Sequence, residues 1–281
     1  MQPVRFRRPA RARGQNLLID RSVARRIVKA SKLPVDAAVL EIGAGTGMLT
    51  VELARVARRL VAIEIEYALA QRLKRAVSRY SNVRIIRADA RRVHVEELME
   101  GEAFHVVSNL PYSVGTPLTI DLLQSDFRPA SLTIMLQLEV AERLCAEPGS
   151  MSLLSVIAQS YAEPRFLFIV EPESFRPRPK VRSAVVRLVT NNVPRKDVLT
   201  KTAIFLARHA FAGRRKKVQN SLAGGLQRSS REVAELCELA GIDPGARAQE
   251  LSLDQWRTLG STALDKGFIG QPAASAAGAE N

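Results

Sequence analysis

A glycine-rich turn directly follows the first segment of the chain that is apolar enough to form a buried strand. The run Ala38–Ile42 predicts that strand, and the turn is Gly43-Ala44-Gly45-Thr46-Gly47. Glycines at the end of a strand let the backbone approach a ligand closely at the head of a sheet. The Gly-x-Gly-x-Gly spacing differs from the Gly-x-Gly-x-x-Gly of dinucleotide sites, so it predicts a ligand without a pyrophosphate.

Apolar strands alternate with amphipathic helices through the first half of the sequence. Such an alternation is typical of a doubly wound α/β fold with a parallel sheet. Two later apolar runs are joined by a proline-rich link too short for a helical crossover, so they predict an antiparallel pair at the sheet edge. The predicted strands are residues 38–42, 60–65, 83–86, 104–108 and 132–136, with the edge pair at 165–170 and 181–189.

The composition changes after Thr190, where Asn191-Asn192-Val193-Pro194 forms a linker. Beyond it only helical patterns remain, so we predict a small all-helical domain over residues 195–268. The preceding domain is predicted to span residues 15–190. A basic arm of residues 1–14 would precede it, and residues 269–281, which are of low complexity, predict a disordered tail.

Basic residues strongly outnumber acidic ones. The chain has 42 Lys and Arg against 28 Asp and Glu, a formal net charge of +14. Because 46% of its residues are hydrophobic, the chain can bury a core and is not a disordered basic tail. The excess charge predicts a nucleic-acid partner, and no run approaches the roughly 20 apolar residues that span a membrane. Residues 1–14 carry five arginines and no acid, which fits either an RNA-contacting arm or an organelle transit peptide.

The two cysteines do not predict a metal centre. Cys145 and Cys237 are far apart, neither belongs to a Cys-x-x-Cys pair, and the chain has three histidines. No ligand spacing for zinc is present, so we expect no metal. Two unpaired thiols are typical of a reducing compartment, which favours the cytoplasm.

Acidic residues follow the second and third predicted strands. Glu64 stands where a carboxylate can accept hydrogen bonds from both hydroxyls of a ribose, and Asp89 where it can accept one from an adenine amino group. Together with Gly43 and Gly45 they suit S-adenosylmethionine, an adenosine ligand that has no pyrophosphate. The sequence therefore predicts S-adenosylmethionine as the cofactor.

The motif Asn109-Leu110-Pro111-Tyr112 ends the fourth predicted strand. The exocyclic amine of adenine is a poor nucleophile, because its lone pair is delocalised into the ring. The side-chain carbonyl of Asn109 and the backbone carbonyl of Leu110 can accept hydrogen bonds from that amine, so that the nitrogen can pyramidalise. Pro111 makes the backbone rigid, and Tyr112 can stack on the base, which is worth roughly 1–3 kcal/mol.

At these residues the sequence resembles the rRNA adenine N6-methyltransferases, from about residue 13 to 226 and more faintly to 259. Within that family it is similar to the branch that dimethylates small-subunit rRNA, because the large-subunit branch usually carries Ile at the position of Leu110. The resemblance rests on Gly14-Gln15-Asn16-Leu17-Leu18, residues 41–50, Asn109-Leu110-Pro111-Tyr112, residues 140–144, Pro148-Gly149-Ser150, residues 175–181 and 183–188, and Ala210-Phe211-Ala212-Gly213-Arg214-Arg215-Lys216.

The resemblance implies a Rossmann-like methyltransferase sheet followed by a small C-terminal all-helical domain. It implies that Phe175 forms a second stacking face opposite Tyr112. The substrate implied is a pair of adjacent adenosines, each methylated twice, in the hairpin loop near the 3′ end of small-subunit rRNA. Gly115 departs from the family pattern and is expected to loosen the loop beside the target base. The predicted donor contacts are Gln15, Asn16, Leu18, Gly43, Gly45, Glu64, Asp89 and Asn109.

Three basic clusters predict the track of the RNA phosphates, with immature small subunits as partner and a monomer as the enzyme. Two alternatives remain: a non-catalytic ribosome-assembly or transcription factor on the same scaffold, and an enzyme for large-subunit rRNA or DNA adenine. An intact motif at 109–112 favours the enzyme, since a binding protein has no use for amine acceptors. The predicted RNA contacts are Arg11, Arg13, Arg178, Lys180, Arg208, Arg214, Arg215, Lys216 and Lys217.

Overall fold

The computed structural model describes residues 16–213 and 215–269 of the chain. The described residues form two compact units. The first consists of residues 16–142 and 164–190, and the second of residues 143–163 and the described residues after 190. All of the predicted N-terminal arm, residues 1–14, and residues 270–281 of the predicted tail lie outside the described residues.

The first unit is built on a seven-stranded sheet in the order β4-β3-β2-β5-β6-β9-β7. Strands β2 to β6 pair in parallel, whereas β9 runs antiparallel to β6. The predicted α/β fold is thus confirmed. A separate two-stranded sheet pairs β1 with β8. The strands are β1 Leu17–Leu18, β2 Ala38–Ile42, β3 Arg59–Ile63, β4 Val83–Ile86, β5 Phe104–Asn109, β6 Ser131–Gln137, β7 Ala162–Val170, β8 Phe175–Arg176 and β9 Ser183–Thr190.

The helices that accompany this sheet begin and end with ordinary local signals. Asp20 caps the first of them by accepting hydrogen bonds from the N–H groups of Ser22 and Val23, which satisfies donors that have no partner within a helix. The helices are α1 Arg21–Ser31, α2 Met48–Leu53, α3 Tyr67–Ala76, α4 Val95–Leu98, α5 Gly115–Gln124 and α6 Leu138–Leu144.

The strand order creates a switch point between β2 and β5. The chain runs from β2 outward to β3 and β4, then returns to form β5 on the other side of β2. Both central strands are largely buried, as expected for a parallel sheet that is covered on both faces. Ligands bind beyond the carboxyl ends of strands at such a point, which are Ile42 of β2 and Asn109 of β5.

The second unit is helical. Its core contains Trp256, Val233, Leu236 and Leu222, all 0–1% exposed. The helices are α7 Leu153–Tyr161, α8 Val198–Ala212, α9 Val218–Leu226, α10 Ser230–Leu239 and α11 Leu253–Asp265.

Residues 143–163 belong to this helical unit, whereas the sequence predicted them within the 15–190 domain. The physical reason is the composition of α7. Seven of its nine residues are buried, and a helix that is apolar nearly all round has to pack inside a core. In this chain α7 packs against α8 and α11. A boundary drawn from the linker at Asn191 could not reveal that contact.

Residues 16–213 and 215–269 contain neither a membrane-spanning helix nor a cluster of metal ligands. No helix there is long and apolar enough to cross a membrane. The same residues include no cluster of three or more His, Cys, Asp and Glu side chains arranged to hold a metal. Cys145 and Cys237 are free, and burial raises the pKa of each thiol to about 11.

Candidate active site

A cavity lies at the switch point, beyond the carboxyl ends of β2 and β5. Its walls come from four segments that are distant in sequence but meet at this edge of the sheet. These are residues 16–18, the turn after β2, the end of β3 with Glu64 and Ile65, and residues 109–112 after β5. The predicted donor contacts Asn16, Leu18, Gly43, Gly45, Glu64 and Asn109 are therefore brought together.

The glycine turn forms one wall with its backbone. Gly43 has a φ of +74°, and a Cβ there would come within 3.1 Å of Cδ of Pro111. The N–H groups of Gly43 and Ala44 both donate to the carbonyl of Ile63, at 2.8 and 3.2 Å. A side chain at Gly43 would combine a left-handed backbone with a contact against the 109–112 motif, which explains glycine at this position.

Glu64 is held firmly at the end of β3. It is 2% exposed. Its Oε2 accepts a 2.8 Å hydrogen bond from the N–H of Gly45, and its Oε1 accepts a 2.9 Å bond from the N–H of Glu66. A carboxylate oxygen can accept more than one hydrogen bond, so both oxygens retain capacity for the ribose hydroxyls that the sequence predicts there.

Glu41 is a second buried carboxyl on the cavity wall, and the sequence reasoning did not single it out. It is 2% exposed, and its Oε2 has no hydrogen-bond partner among the described residues. Burial, with a smaller contribution from the charge of Glu64, raises the pKa of Glu41 to about 8. The sequence feature that could have identified Glu41 as a site residue is its position inside the apolar run Ala38–Ile42. An acidic side chain is costly to bury without a partner, so its presence there indicates a function.

The two carboxyls suit the methyl donor that the sequence predicts. S-adenosylmethionine carries a ribose and an α-ammonium group, and the second of these is a cation able to pair with the orphaned oxygen of Glu41. A cavity wall made of glycine backbone leaves room for the ligand beside these acids. The residues present therefore fit the donor.

Two oxygens of the 109–112 motif remain open, whereas the carbonyl of Pro111 accepts hydrogen bonds from the N–H groups of Val114 and Gly115. Asn109 donates through Nδ2 to the carbonyl of Asn16 at 3.3 Å. This bond orients the amide and leaves Oδ1 able to accept. The carbonyl of Leu110 accepts no backbone hydrogen bond from the residues that the structure describes. Asn109 Oδ1 and the Leu110 carbonyl are therefore both able to accept hydrogen bonds at the cavity; their role toward an adenine amine stays a prediction.

The ring of Tyr112 is fixed by its hydroxyl group. Tyr112 Oη and Ser183 Oγ, at the start of β9, lie 2.5 Å apart. Tyr112 is half-buried and lines the cavity, and burial raises the pKa of its hydroxyl. Ser183 itself is 0% exposed, so the bond connects the loop after β5 to β9, a buried strand inside the sheet.

Gly115 lies at a tightly packed position. It opens α5 and is buried, and a Cβ there would come within 2.7 Å of Leu136 Cδ2 and 3.3 Å of Leu110 Cβ. The glycine thus permits close packing under the 109–112 motif. The loosening of the loop expected from this departure stays a prediction.

Phe175 does not face the cavity. Residues Leu18 and Phe175 are register partners in the β1–β8 pair. Phe175 is 0% exposed and packs in the hydrophobic cluster that also contains Leu18 and Val185. Alternation along β8 turns Phe175 into the core and Arg176 toward solvent, so the predicted stacking of Phe175 on the base stays a prediction.

Asp89 also lies apart from the cavity lining. Its carboxylate forms a 2.6 Å ion pair with Arg91 and accepts a hydrogen bond from the N–H of the same residue. These contacts lower the pKa of Asp89 to about 2. The structure does not bring Asp89 together with Glu64 in the cavity, and its predicted contact with adenine stays a prediction. Gln15 lies outside the described residues.

Comparison with known proteins identifies the family and the fold. The sequence profile described as "Ribosomal RNA adenine dimethylase" matches residues 9–263. The chain belongs to this family. The ribosomal RNA small subunit methyltransferase A of Shouchella clausii (strain KSM-K16) is 39% identical over 256 residues, covering 88% of this chain and 86% of the relative. The protein of the same name from Alkaliphilus metalliredigens (strain QYMF) is 38% identical over 254 residues, covering 88% of each.

Solved structures agree on the architecture of an adenine dimethylase. The crystal structure of the 23S rRNA methyltransferase ErmE matches with a TM-score of 0.73 at 29% identity, covering 88% of this chain and 99% of that one. A dimethyladenosine transferase from Plasmodium falciparum matches with a TM-score of 0.78 at 23% identity, covering 89% and 98%. The second likeness concerns the fold alone. As an rRNA adenine dimethylase, the protein is an S-adenosylmethionine-dependent enzyme.

The basic residues predicted to bind the dimethylase's RNA are distributed over both units. Arg178 and Lys180 are exposed in the first, and Arg178 pairs with Glu173. In the second, Arg208 on α8 and the residues Arg215, Lys216 and Lys217 that follow it are exposed. Arg11, Arg13 and Arg214 lie outside the described residues.

Proposed function

We propose that the protein dimethylates N6 of two adjacent adenosines in the 3′-terminal hairpin loop of small-subunit rRNA, acting as a monomer on immature small subunits in the cytoplasm. The observation that carries this proposal is the pair of open acceptors, Asn109 Oδ1 and the Leu110 carbonyl, beside a donor cavity with two buried carboxyls. Free thiols at Cys145 and Cys237 support a reducing compartment.

The donor is held by groups on both sides of the turn after β2. Glu64 binds the ribose hydroxyls, Glu41 pairs with the α-ammonium group, and the backbone of Gly43 and Gly45 forms the floor. S-adenosylmethionine supplies an electrophilic methyl group on a sulfonium. These contacts would hold the donor through its ribose and its amino-acid part, and would leave its methyl group to react with the amine held by the motif at 109–112.

The motif activates the amine by accepting its hydrogen bonds. Asn109 Oδ1 and the Leu110 carbonyl each accept a hydrogen bond from one N–H of the amine. These bonds draw the lone pair of N6 out of conjugation with the ring. Once N6 carries the new methyl group, its proton is acidic enough to leave to water, so no general base is required. Acceptors aimed at charge that develops in the transition state typically contribute about 10²–10³-fold in rate.

Tyr112 supports the adenine by stacking on one face. Stacking is worth roughly 1–3 kcal/mol per base, comparable to the few kcal/mol that are needed to extrude one. Tyr112 lines the cavity, whereas Phe175 is buried in the core, so a second stacking face from Phe175 stays a prediction. A hairpin-loop adenine is less costly to extrude than a paired one, which favours a loop as the substrate.

The residues proposed to contact RNA phosphates are Arg11, Arg13, Arg178, Lys180, Arg208, Arg214, Arg215, Lys216 and Lys217. If roughly 6–10 phosphates are bound, affinity falls about 10³–10⁵-fold between 50 and 200 mM salt. Sequence readout is not required of these residues, since the shape of the RNA and the reach of a loop adenine into the cavity can supply specificity.

In the deciding experiment, the protein is incubated with labelled donor and with immature small subunits, large subunits or duplex DNA. The methylated base is then mapped. Label at N6 of two adjacent adenosines in the 3′-terminal loop is the expected result. The likeness to the 23S rRNA methyltransferase ErmE makes large-subunit rRNA the second candidate, and label confined to the large subunit would overturn the proposed substrate. Donor-independent RNA binding without any label would indicate a non-catalytic factor.

A further inference from the structure

The helical unit contains a second cavity, of about 480 Å³, that the methyl-transfer chemistry does not use. All its lining residues belong to this unit. They come from the end of α6, the start of α7, the end of α8 and the 3₁₀ turn Ala248–Glu250. Its volume falls within the roughly 300–1,000 Å³ of pockets that hold small ligands.

The cavity is built to a fixed shape. The carbonyl of Gln249 accepts hydrogen bonds from the N–H groups of Gly149 and Met151, at 2.8 and 3.2 Å. Ser155 Oγ donates to the carbonyl of Arg143 at 2.6 Å. These bonds connect the turn at 248–250, the start of α7 and the end of α6, so the walls are positioned before any ligand arrives.

Its lining combines uncompensated positive charge with an apolar floor. Arg143 and Arg208 both line it, no acidic residue does, and neither arginine has an ion pair with a described residue. Met151, Leu153 and Phe211 supply the apolar surface. Two free guanidinium groups attract a phosphate, whereas a bare anion would gain nothing from an aromatic floor.

We propose that this cavity binds one unpaired RNA nucleotide, with the phosphate on Arg143 and Arg208 and the base on the face of Phe211. The inference rests on the proposed function, because it takes RNA as the substrate. An unpaired nucleotide can place its base on an aromatic side chain, whereas a paired one is stacked within its helix. The cavity would therefore recognise a single-stranded segment of the rRNA in addition to the adenosines that are methylated.

The chain contains a fluorescent probe close to this cavity. Trp256 is its one tryptophan, is 0% exposed, and has its ring centroid 6.0 Å from that of Phe211. Its fluorescence should respond when a base contacts Phe211. The full-length protein is titrated with a uridine octanucleotide, uridine monophosphate, uridine or inorganic phosphate, in the presence of saturating S-adenosylhomocysteine to fill the donor cavity.

We expect a saturable change with the octanucleotide and a weaker one with the monophosphate. Arg143→Gln and Arg208→Gln should each weaken octanucleotide binding about tenfold, and each should lower the slope of log K against log salt by about one. Phe211→Leu should abolish the preference for the monophosphate over phosphate. Arg231→Gln, on an exposed arginine of α10 that does not line the cavity, is the matched control and should bind like the wild type.

Three results would overturn the proposal. The first is no change in Trp256 fluorescence, and the second is an equal loss of binding in Arg231→Gln, which would indicate bulk charge. The third is a monophosphate that binds as tightly as the octanucleotide, since the cavity would then serve a free nucleotide. A protein that binds the octanucleotide as expected but methylates no rRNA would instead contradict the proposed function, so the two failures are distinguishable.

Discussion

The hydroxyl of Tyr112 lies 2.5 Å from Oγ of Ser183, and this bond joins the loop that carries the amine acceptors to the antiparallel strand β9. Ser183 is fully buried and Tyr112 half-buried. The aromatic ring is therefore held in one orientation from its outer end, while the backbone of the same motif presents the Leu110 carbonyl.

Ser183→Ala is expected to lower kcat about fivefold, because a hydrogen bond of this kind contributes about 1 kcal/mol. The KM for the methyl donor should change little, since Ser183 does not line the donor cavity. Tyr112→Phe removes the same bond and keeps the ring. In a double-mutant cycle the two changes should be strongly non-additive, and additive losses in kcat would show that Ser183 does not act through Tyr112.

The raised pKa of Glu41 predicts that a proton is released when the donor binds. Its pKa is raised to about 8 in the structure, so at pH 7 the carboxyl is largely protonated until an ammonium group pairs with it. Donor binding should release close to one proton, and the affinity should rise with pH up to about 8. Calorimetry in buffers of different ionisation enthalpy measures the release directly.

Glu41→Gln is the matched variant. It keeps the shape of the side chain and should abolish both the proton release and the pH dependence. Between pH 4.5 and about 8 the folded wild type binds more protons than the unfolded chain, so its free energy of unfolding falls as pH rises through this window. Glu41→Gln should remove this pH dependence of the free energy of unfolding. Equal proton release in wild type and variant would exclude Glu41 as the partner of the ammonium.

Gly43→Ala tests the glycine turn, and the chain provides a control. Gly43 and Gly101 have similar positive φ angles, +74° and +70°, but a Cβ at Gly43 would press on Pro111 whereas one at Gly101 meets nothing within 4 Å. Both alanine variants should lose about 1 kcal/mol of unfolding free energy through backbone strain. Only Gly43→Ala should weaken donor binding, by about tenfold; equal affinities for the donor would mean that close approach of the turn is not needed.

Local pattern predicted the sheet well because buried parallel strands are nearly continuous apolar runs. The segments 38–42 and 104–108 were predicted to within one residue of β2 and β5. Six of the predicted donor contacts and the 109–112 motif line one cavity, because most of them stand at the carboxyl ends of parallel strands, and topology brings such ends together.

The local sequence pattern could not predict the direction of individual side chains or the tertiary contacts between distant elements. Phe175 lies in a family motif, but its burial depends on the pairing of β8 with β1. Strand β1 lies more than 150 residues before β8 in the chain. The grouping of α7 with the C-terminal helices depends on its contact with α8. The orphaned oxygen of Glu41 becomes evident only when its neighbours are placed around it.

The central claim is that Asn109 accepts hydrogen bonds from the target amine. Asn109→Ala removes that acceptor and leaves the exposed basic residues intact. Its most direct test measures RNA binding and single-turnover methyl transfer to small-subunit rRNA with the same protein preparation. The account predicts RNA affinity within about twofold of the wild type and a methyl-transfer rate at least 10²-fold lower, and a rate like that of the wild type would contradict it.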